Sequence, residues 1–222
     1  MVRKSLAVFR KEWRTEMRQK HGLFTSSLFS VLAVAAMAFA AQTQKPQPTL
    51  AAGMLTVVLL FAATTSIARL FLVEDEQGTF EFLRMVAPPR AVFNGKIIYG
   101  SIQMLVTGLV LAMVFVAAVH VEVRHPVLFL VALVSECLVL AAASGLCGAL
   151  VIGASNRWLL ASVLSLPMLL PQTAMAVSAI RVSLGEGFLE GGWSATVGLL
   201  GFLAALYAVG PWLVESVWRR EK

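Results

Sequence analysis

Between two membrane-length apolar runs lies a dense island of polar chemistry. It reads Glu74-Asp75-Glu76-Gln77-Gly78-Thr79-Phe80-Glu81-Phe82-Leu83-Arg84, then Pro88-Pro89-Arg90, then Gly95-Lys96. Four acids and three bases in this stretch have no role in hydrocarbon, where each charge is costly, so the island sits in water. Its chemistry is recognition: ion pairs and hydrogen bonds offered to another surface. Catalysis is not expected, because no constellation of nucleophile, base or metal ligands is visible. No Gly-x-x-x-x-Gly-Lys-Ser/Thr loop is present to cradle phosphates.

A second set of polar residues falls inside apolar runs. Glu136 lies about a third of the way into its run, where a carboxylate costs roughly 2.5–3.5 kcal/mol on insertion scales. It must face protein or water. A protonated carboxyl, a pair with Gln103 and a position near the far interface are all open readings, and Gln103 with Glu136 marks a candidate pathway. Pro167 and Pro171 stand four apart, on one helix face, and each removes a backbone N–H. A kink or break is expected there, with Ser162, Ser165 and Gln172 helping to satisfy the freed carbonyls. A hinge, a pathway lining and a static packing kink are equally open. Cys137 and Cys147 are ten apart on one helix and point to different faces, so they cannot bridge. The nine Met residues read as packing filler.

The elements that position these residues follow from composition. Of 222 residues, 59% are hydrophobic and 14% charged, with a mean hydropathy of +0.82. A soluble domain carries about 25% charged residues. The chain uses the bilayer as its apolar phase and forms one all-α, polytopic membrane domain over residues 1–222. Six spans are predicted: Leu23–Ala41, Leu50–Ala68, Ile97–Val119, Val127–Ala154, Trp158–Ile180 and Trp193–Val214, each of 19 residues or more. At about 1.5 Å per residue, 19 residues cover roughly 28 Å, enough for the hydrocarbon core. The runs are continuously apolar and do not alternate, which favours helices over barrel strands. Small residues from Ala141 to Gly153 (including Gly145 and Gly148) suit close packing of the fourth span.

Lys and Arg set the orientation. Seven precede Gly22, four lie from Arg69 to Lys96, one is Arg157 and three end the chain, while Lys45, Arg124 and Arg181 lie on the other side. The larger group is cytoplasmic, so both termini are inside. The +6 net charge follows from this topology and implies no nucleic acid. Residues 1–22 carry Leu6, Phe9, Trp13 and Met17 at spacings of three and four. That stripe predicts an interfacial amphipathic helix, or at least a basic anchor, ahead of the bundle at 23–214. Ala36-Met37-Ala38 and Ala38-Phe39-Ala40 look like cleavage sites, but the long basic lead with Glu12 and Glu16 argues for an uncleaved segment. Within the island, Gly78 can turn the chain and Thr79 can N-cap a short helix through Phe80, Phe82, Leu83 and Val86, which Pro88-Pro89 stops.

The pattern Glu76-x-Gly78-Thr79-x-Glu81-x-Leu83, then Pro88, then Gly95-Lys96, resembles permeases of type 2 ABC exporters. Several further stretches narrow this. Leu70-Phe71 before the acidic run, Met104–Gly108, and Ser162-Val163-Leu164-Ser165-Leu166-Pro167 with Pro171 are similar to the haem exporter B subunit (CcmB-type) of cytochrome c maturation. The likeness covers nearly the whole chain. It implies an inner-membrane permease without its own ATPase, coupled through the loop 74–96 to a separate ATP-binding A subunit. Glu76, Gly78, Thr79, Glu81, Leu83 and Arg84 would form that coupling element. Glu81→Lys is expected to weaken ATPase binding while leaving insertion intact. The resemblance also implies a haem-handling C subunit, a small D subunit, a periplasmic haem chaperone and a second permease copy. What is coupled is then transport of haem or release of the haem-loaded chaperone, and no cofactor is bound permanently. His120 and His125 become candidate haem ligands, although no Cys-x-x-Cys-His motif exists and histidine is common at interfaces. A type 2 exporter for a lipid-linked glycan or drug, and a non-transporting membrane assembly factor, are the alternatives.

Overall fold

A computed structural model describes residues 2–19, 21–41, 45–67, 69–154 and 156–220. These fold into nine helices: α1 Val2–Gln19, α2 His21–Ala41, α3 Pro48–Ser66, α4 Arg69–Glu76, α5 Phe80–Val86, α6 Pro89–Val119, α7 Pro126–Leu150, α8 Arg157–Ser183 and α9 Leu189–Arg220. Five stretches of the described residues are long and apolar enough to cross a membrane: Pro48–Glu74, Pro89–Val119, Pro126–Leu150, Arg157–Ser183 and Leu189–Trp218. The remaining expected span coincides with α2, whose apolar part is described over Ser30–Ala41.

The helix α7 is the centre of the bundle and packs against α6, α8 and α9. Every residue from Val139 to Ala149 is buried. Small side chains make this possible, because lipid gives no hydrophobic drive for helices to associate and close van der Waals packing must supply it. A Cβ on Gly145 would run into Ile97 of α6, and one on Gly108 of α6 would run into Cys137 of α7. These pairs run α6 antiparallel to α7. Gly210 of α9 lies against Phe93 of α6 and Leu146 of α7, and the Ser101 hydroxyl meets that of Tyr207 at 3.2 Å.

Several boundaries differ from the sequence reading. The third span begins at Pro89, not Ile97. Pro88 holds extended backbone at φ −66°, ψ 148°, and Pro89 occupies the first helical turn, where its missing N–H has no partner to lose. The fourth span stops at Leu150, not Ala154, because the chain turns through Gly153 at φ 82°. Beyond Ala68, where the second span was expected to end, the chain is helical again as α4. The separation of α3 from α4 has a local cause. Thr64, Thr65 and Ser66 donate their hydroxyls to the carbonyls of Leu60, Phe61 and Ala62 at 2.9, 2.6 and 2.5 Å. Such back-bonding competes with the helix ladder and bends it.

Candidate functional site

Three devices build the island into a folded hub. The first is a turn. Gly78 takes φ 67°, a left-handed conformation open to glycine. The Thr79 N–H then reaches the Glu74 carbonyl at 3.0 Å, and the Gln77 N–H reaches that of Val73 at 3.0 Å. This closes α4 as a Schellman-type end. Thr79 stands at the N-cap of α5, as expected, but it does not cap with its side chain. Its backbone is helical, at φ −83° and ψ −11°. The hydroxyl turns back to the Glu74 carbonyl at 3.2 Å. It therefore finishes the helix before it.

The second device is a buried ion cluster. Lys96 is fully buried, with its Nζ 3.0 Å from Glu12 Oε1 and 2.8 Å from Glu74 Oε2. It also donates to the Leu70 carbonyl at 2.5 Å and lies 5.2 Å from the centre of the Phe71 ring. Lys11 pairs with Glu74 and lies 3.2 Å from Glu12. Two bases thus balance two acids, and α1, α4 and α6 are locked at one point. Burial works against ionisation of Glu12, but attraction to Lys96 and Lys11 and the hydrogen bonds from them outweigh it. Its carboxyl is held below the usual range. Burial conversely pulls the Lys11 ammonium down, with Glu12 opposing.

Gly95 explains why α1 can come so close. A Cβ there would sit 2.7 Å from both the Ser5 carbonyl and Val8 Cβ. The docked face of α1 is Ser5, Val8 and Glu12, all buried. The apolar stripe expected on this segment is divided: Leu6 is 49% and Trp13 46% exposed, while the rings of Phe9 and Trp13 pack on the buried Tyr99 of α6. Met17 lies outside the described side chains.

The third device is an aromatic anchor. Phe80 opens α5 and is buried edge-on against Trp218, with ring centres 4.6 Å apart at 86°. The Trp218 indole donates to the Ala149 carbonyl at 2.9 Å, and Arg90 pairs with Glu215. The end of α9 thereby carries α5 and the start of α6. Glu76 accepts the Trp158 indole N–H at 2.6 Å, which ties the island to the start of α8. Leu83 turns inward and is half-buried. Phe82, Met85 and Val86 face outward at 71, 82 and 58% exposure. The side chains of Glu81 and Arg84 lie outside the described set.

The other sequence candidates make no contact within this hub, although Gln103 lines the cavity beside it. Gln103 is half-buried and its amide oxygen has no hydrogen-bond partner among the described residues. Glu136 is fully buried within α7, and both its oxygens are likewise without a partner, although the Thr56 side chain faces it. The pairing of Glu136 with Gln103 is therefore not made, and Glu136 lies well inside its helix. It sits ten residues into α7, about 15 Å along the axis.

Pro167 and Pro171 are both exposed on the outward face of α8, which runs unbroken from Arg157 to Ser183. Ser162 donates to Trp158 and Ser165 to Ser162, so neither serves the carbonyls of Val163 and Pro167 that the prolines free. Gln172 is buried and its oxygen has no hydrogen-bond partner among the described residues. His120 and His125 are exposed at the opposite end of the bundle. The first ends α6 in a left-handed turn at φ 56°, ψ 41°. The second donates its N–H to the Ser183 carbonyl at 2.9 Å. Among the described residues no three His, Cys, Asp or Glu group as metal ligands.

Sequence reasoning missed Lys11, Glu12, Glu215 and Trp218. The signal for the cluster was available. A lysine at the mouth of an apolar run demands a partner, and Glu12 is one of two acids in the first 22 residues.

Long apolar helices packed through small residues, with a folded charged hub on one end, define an integral, all-helical membrane protein. The family model described as CcmB protein matches residues 3–219. The chain belongs to that family, the permease subunits of haem exporters in cytochrome c biogenesis. These subunits work within multi-subunit ABC transporters. No curated protein matches the chain.

Proposed function

We propose that this permease subunit couples ATP hydrolysis on a separate ATP-binding subunit to haem export, and that α5 is where that subunit docks. The observation that carries this is the orientation of α5. Phe82, Met85 and Val86 stand outward while Phe80 is clamped beneath by Trp218. An exposed apolar row on a helix fixed from below has the form of a contact surface. A push on it passes through Trp218 to α7 and α9, and through Arg90 and the ion cluster to α6 and α1.

In this reading the island and both termini face the cytoplasm, as the basic residues require. The protein lies in the inner membrane, α2 is the first of six spans, and α1 rests in the headgroup layer with Leu6 and Trp13 toward lipid. Two permease copies, a haem-handling C subunit, a small D subunit and a periplasmic haem chaperone complete the system. The cargo is haem, either carried across or released on the loaded chaperone.

The test is co-purification of the ATP-binding subunit with Phe82→Glu/Met85→Glu. Both residues are exposed, so folding is expected to be unaffected. Loss of an apolar hot spot costs about 2 kcal/mol or more, roughly thirtyfold in affinity. Capture equal to wild type rules the docking site out. A strain lacking the gene should also lose covalent c-type haem and keep b-type haem.

A further inference from the structure

Beneath the outward face of α5 lies a cavity of about 650 Å³ between α1, α4, α5 and α6, within the usual range of small-ligand sites. The geometry points to a binding site for an anionic phospholipid. This goes beyond the docking reading and does not depend on it. Three observations select that ligand.

The walls are largely apolar, built from Ala7 and Val8 of α1, Leu70 and Val73 of α4, and Leu83 of α5, with Phe82 and Val86 of the outward row at the rim. Ser66, Leu70 and Val73 of the lining belong to the last turns of the apolar stretch Pro48–Glu74, the level at which a bilayer presents headgroups and upper acyl chains. The volume takes a glycerophosphate head and the upper part of one chain, with the second chain left along the bundle.

The charge balance is also specific. Of the cations in the wall, Lys11 is spent on Glu12 and Glu74, and Lys96 behind them completes the neutral cluster. Lys4 and Arg69 remain, both exposed. Lys4 reaches only the Val86 carbonyl, at 3.5 Å, and no carboxylate among the described residues pairs with either. Two cations that no described carboxylate compensates, above an apolar cleft, suit a phosphate above an acyl chain. Lastly, the lining holds no His, Cys, Met or Tyr, so it offers haem iron no side-chain ligand.

Native mass spectrometry of the full chain in a neutral detergent tests this with phosphatidylglycerol against phosphatidylcholine of identical chains. Wild type should prefer phosphatidylglycerol by about thirtyfold, two basic residues contributing about 1 kcal/mol each. Lys4→Gln/Arg69→Gln should bring the two lipids to within about threefold. Ala7→Trp, which fills the cleft, should abolish retention of both. Equal retention by wild type, a preference that survives loss of both charges, or haem binding that Ala7→Trp blocks while lipid retention does not change would overturn it. The charge variant alters two exposed side chains and adds no bulk, so it decides even if Ala7→Trp misfolds.

Discussion

The two ends of the bundle are held by opposite kinds of electrostatics. At the island end, Lys96 is fully buried and bridges Glu12 and Glu74, and a tryptophan indole closes α7 on α9. At the other end the links lie open to solvent. The Glu186 carboxylate accepts the Thr49 N–H at 2.9 Å and its hydroxyl at 2.7 Å, capping α3 from another part of the chain. Lys45 meets Glu122 at 3.3 Å with both side chains more than 70% exposed. Buried charges leave an uncompensated ion when one partner goes, so they hold geometry stiffly. Exposed pairs trade with water at little cost. The island end is thus held stiffly, while the contacts of the other end exchange readily with water.

The largest expected effect comes from Lys96→Met. It strands two carboxylates with one lysine, and breaking a buried pair costs about 3–5 kcal/mol. Equilibrium unfolding in detergent measures this, and a loss below about 1 kcal/mol would mean the ends do not differ in kind. Next is Trp218→Phe, which keeps an aromatic ring against Phe80 but removes the donor to Ala149. Leaving that carbonyl unmet costs about 1–3 kcal/mol, and hydrogen exchange should rise at the end of α7 more than at its start.

Acidification sharpens the contrast. The hydrogen bonds from the Thr49 side chain and backbone, with Arg181 adding to them against a small cost of burial, hold the Glu186 carboxyl below its usual value. A depressed carboxyl contributes stability that is present above the ordinary carboxylate range and lost as pH falls through the folded value. Exchange at residues 49–51 should therefore quicken below about pH 4, and 1 M salt, where the screening length is about 3 Å, should weaken the Arg181 contribution while sparing Lys96. Glu12 follows the same sign, so α1 should also loosen in acid, but without the salt response. The smallest effect is Lys45→Gln, expected below about 0.5 kcal/mol. A larger value would show that the open end is stiffer than its exposure suggests.

The short helix after Gly78 was legible because Gly, Thr and two prolines punctuate it, and those residues act through local backbone geometry. Its anchor was not. Phe80 and Trp218 are 138 positions apart, and nothing local in either segment points to the other. The Pro167/Pro171 pair was found for the right covalent reason, yet whether its face meets protein or lipid depends on how α8 rotates against α7 and α9. Likewise the stripe on α1 was visible, while the residues buried deepest, Ser5, Val8 and Glu12, lie beside it.

The sequence by itself determined that the chain lives in a membrane, that its long runs are helices, and that the charged island cannot face hydrocarbon. Those follow from transfer free energies and backbone hydrogen bonding summed along the chain. The match of its residues to the CcmB family is likewise carried by sequence. Only the tertiary structure decided that Lys96 closes on Glu12 and Glu74, that α9 carries α5, and that Glu136 and Gln103 stay apart. These are distances between residues far apart in the chain, set by which helices small residues such as Gly95, Gly108 and Gly145 allow to approach.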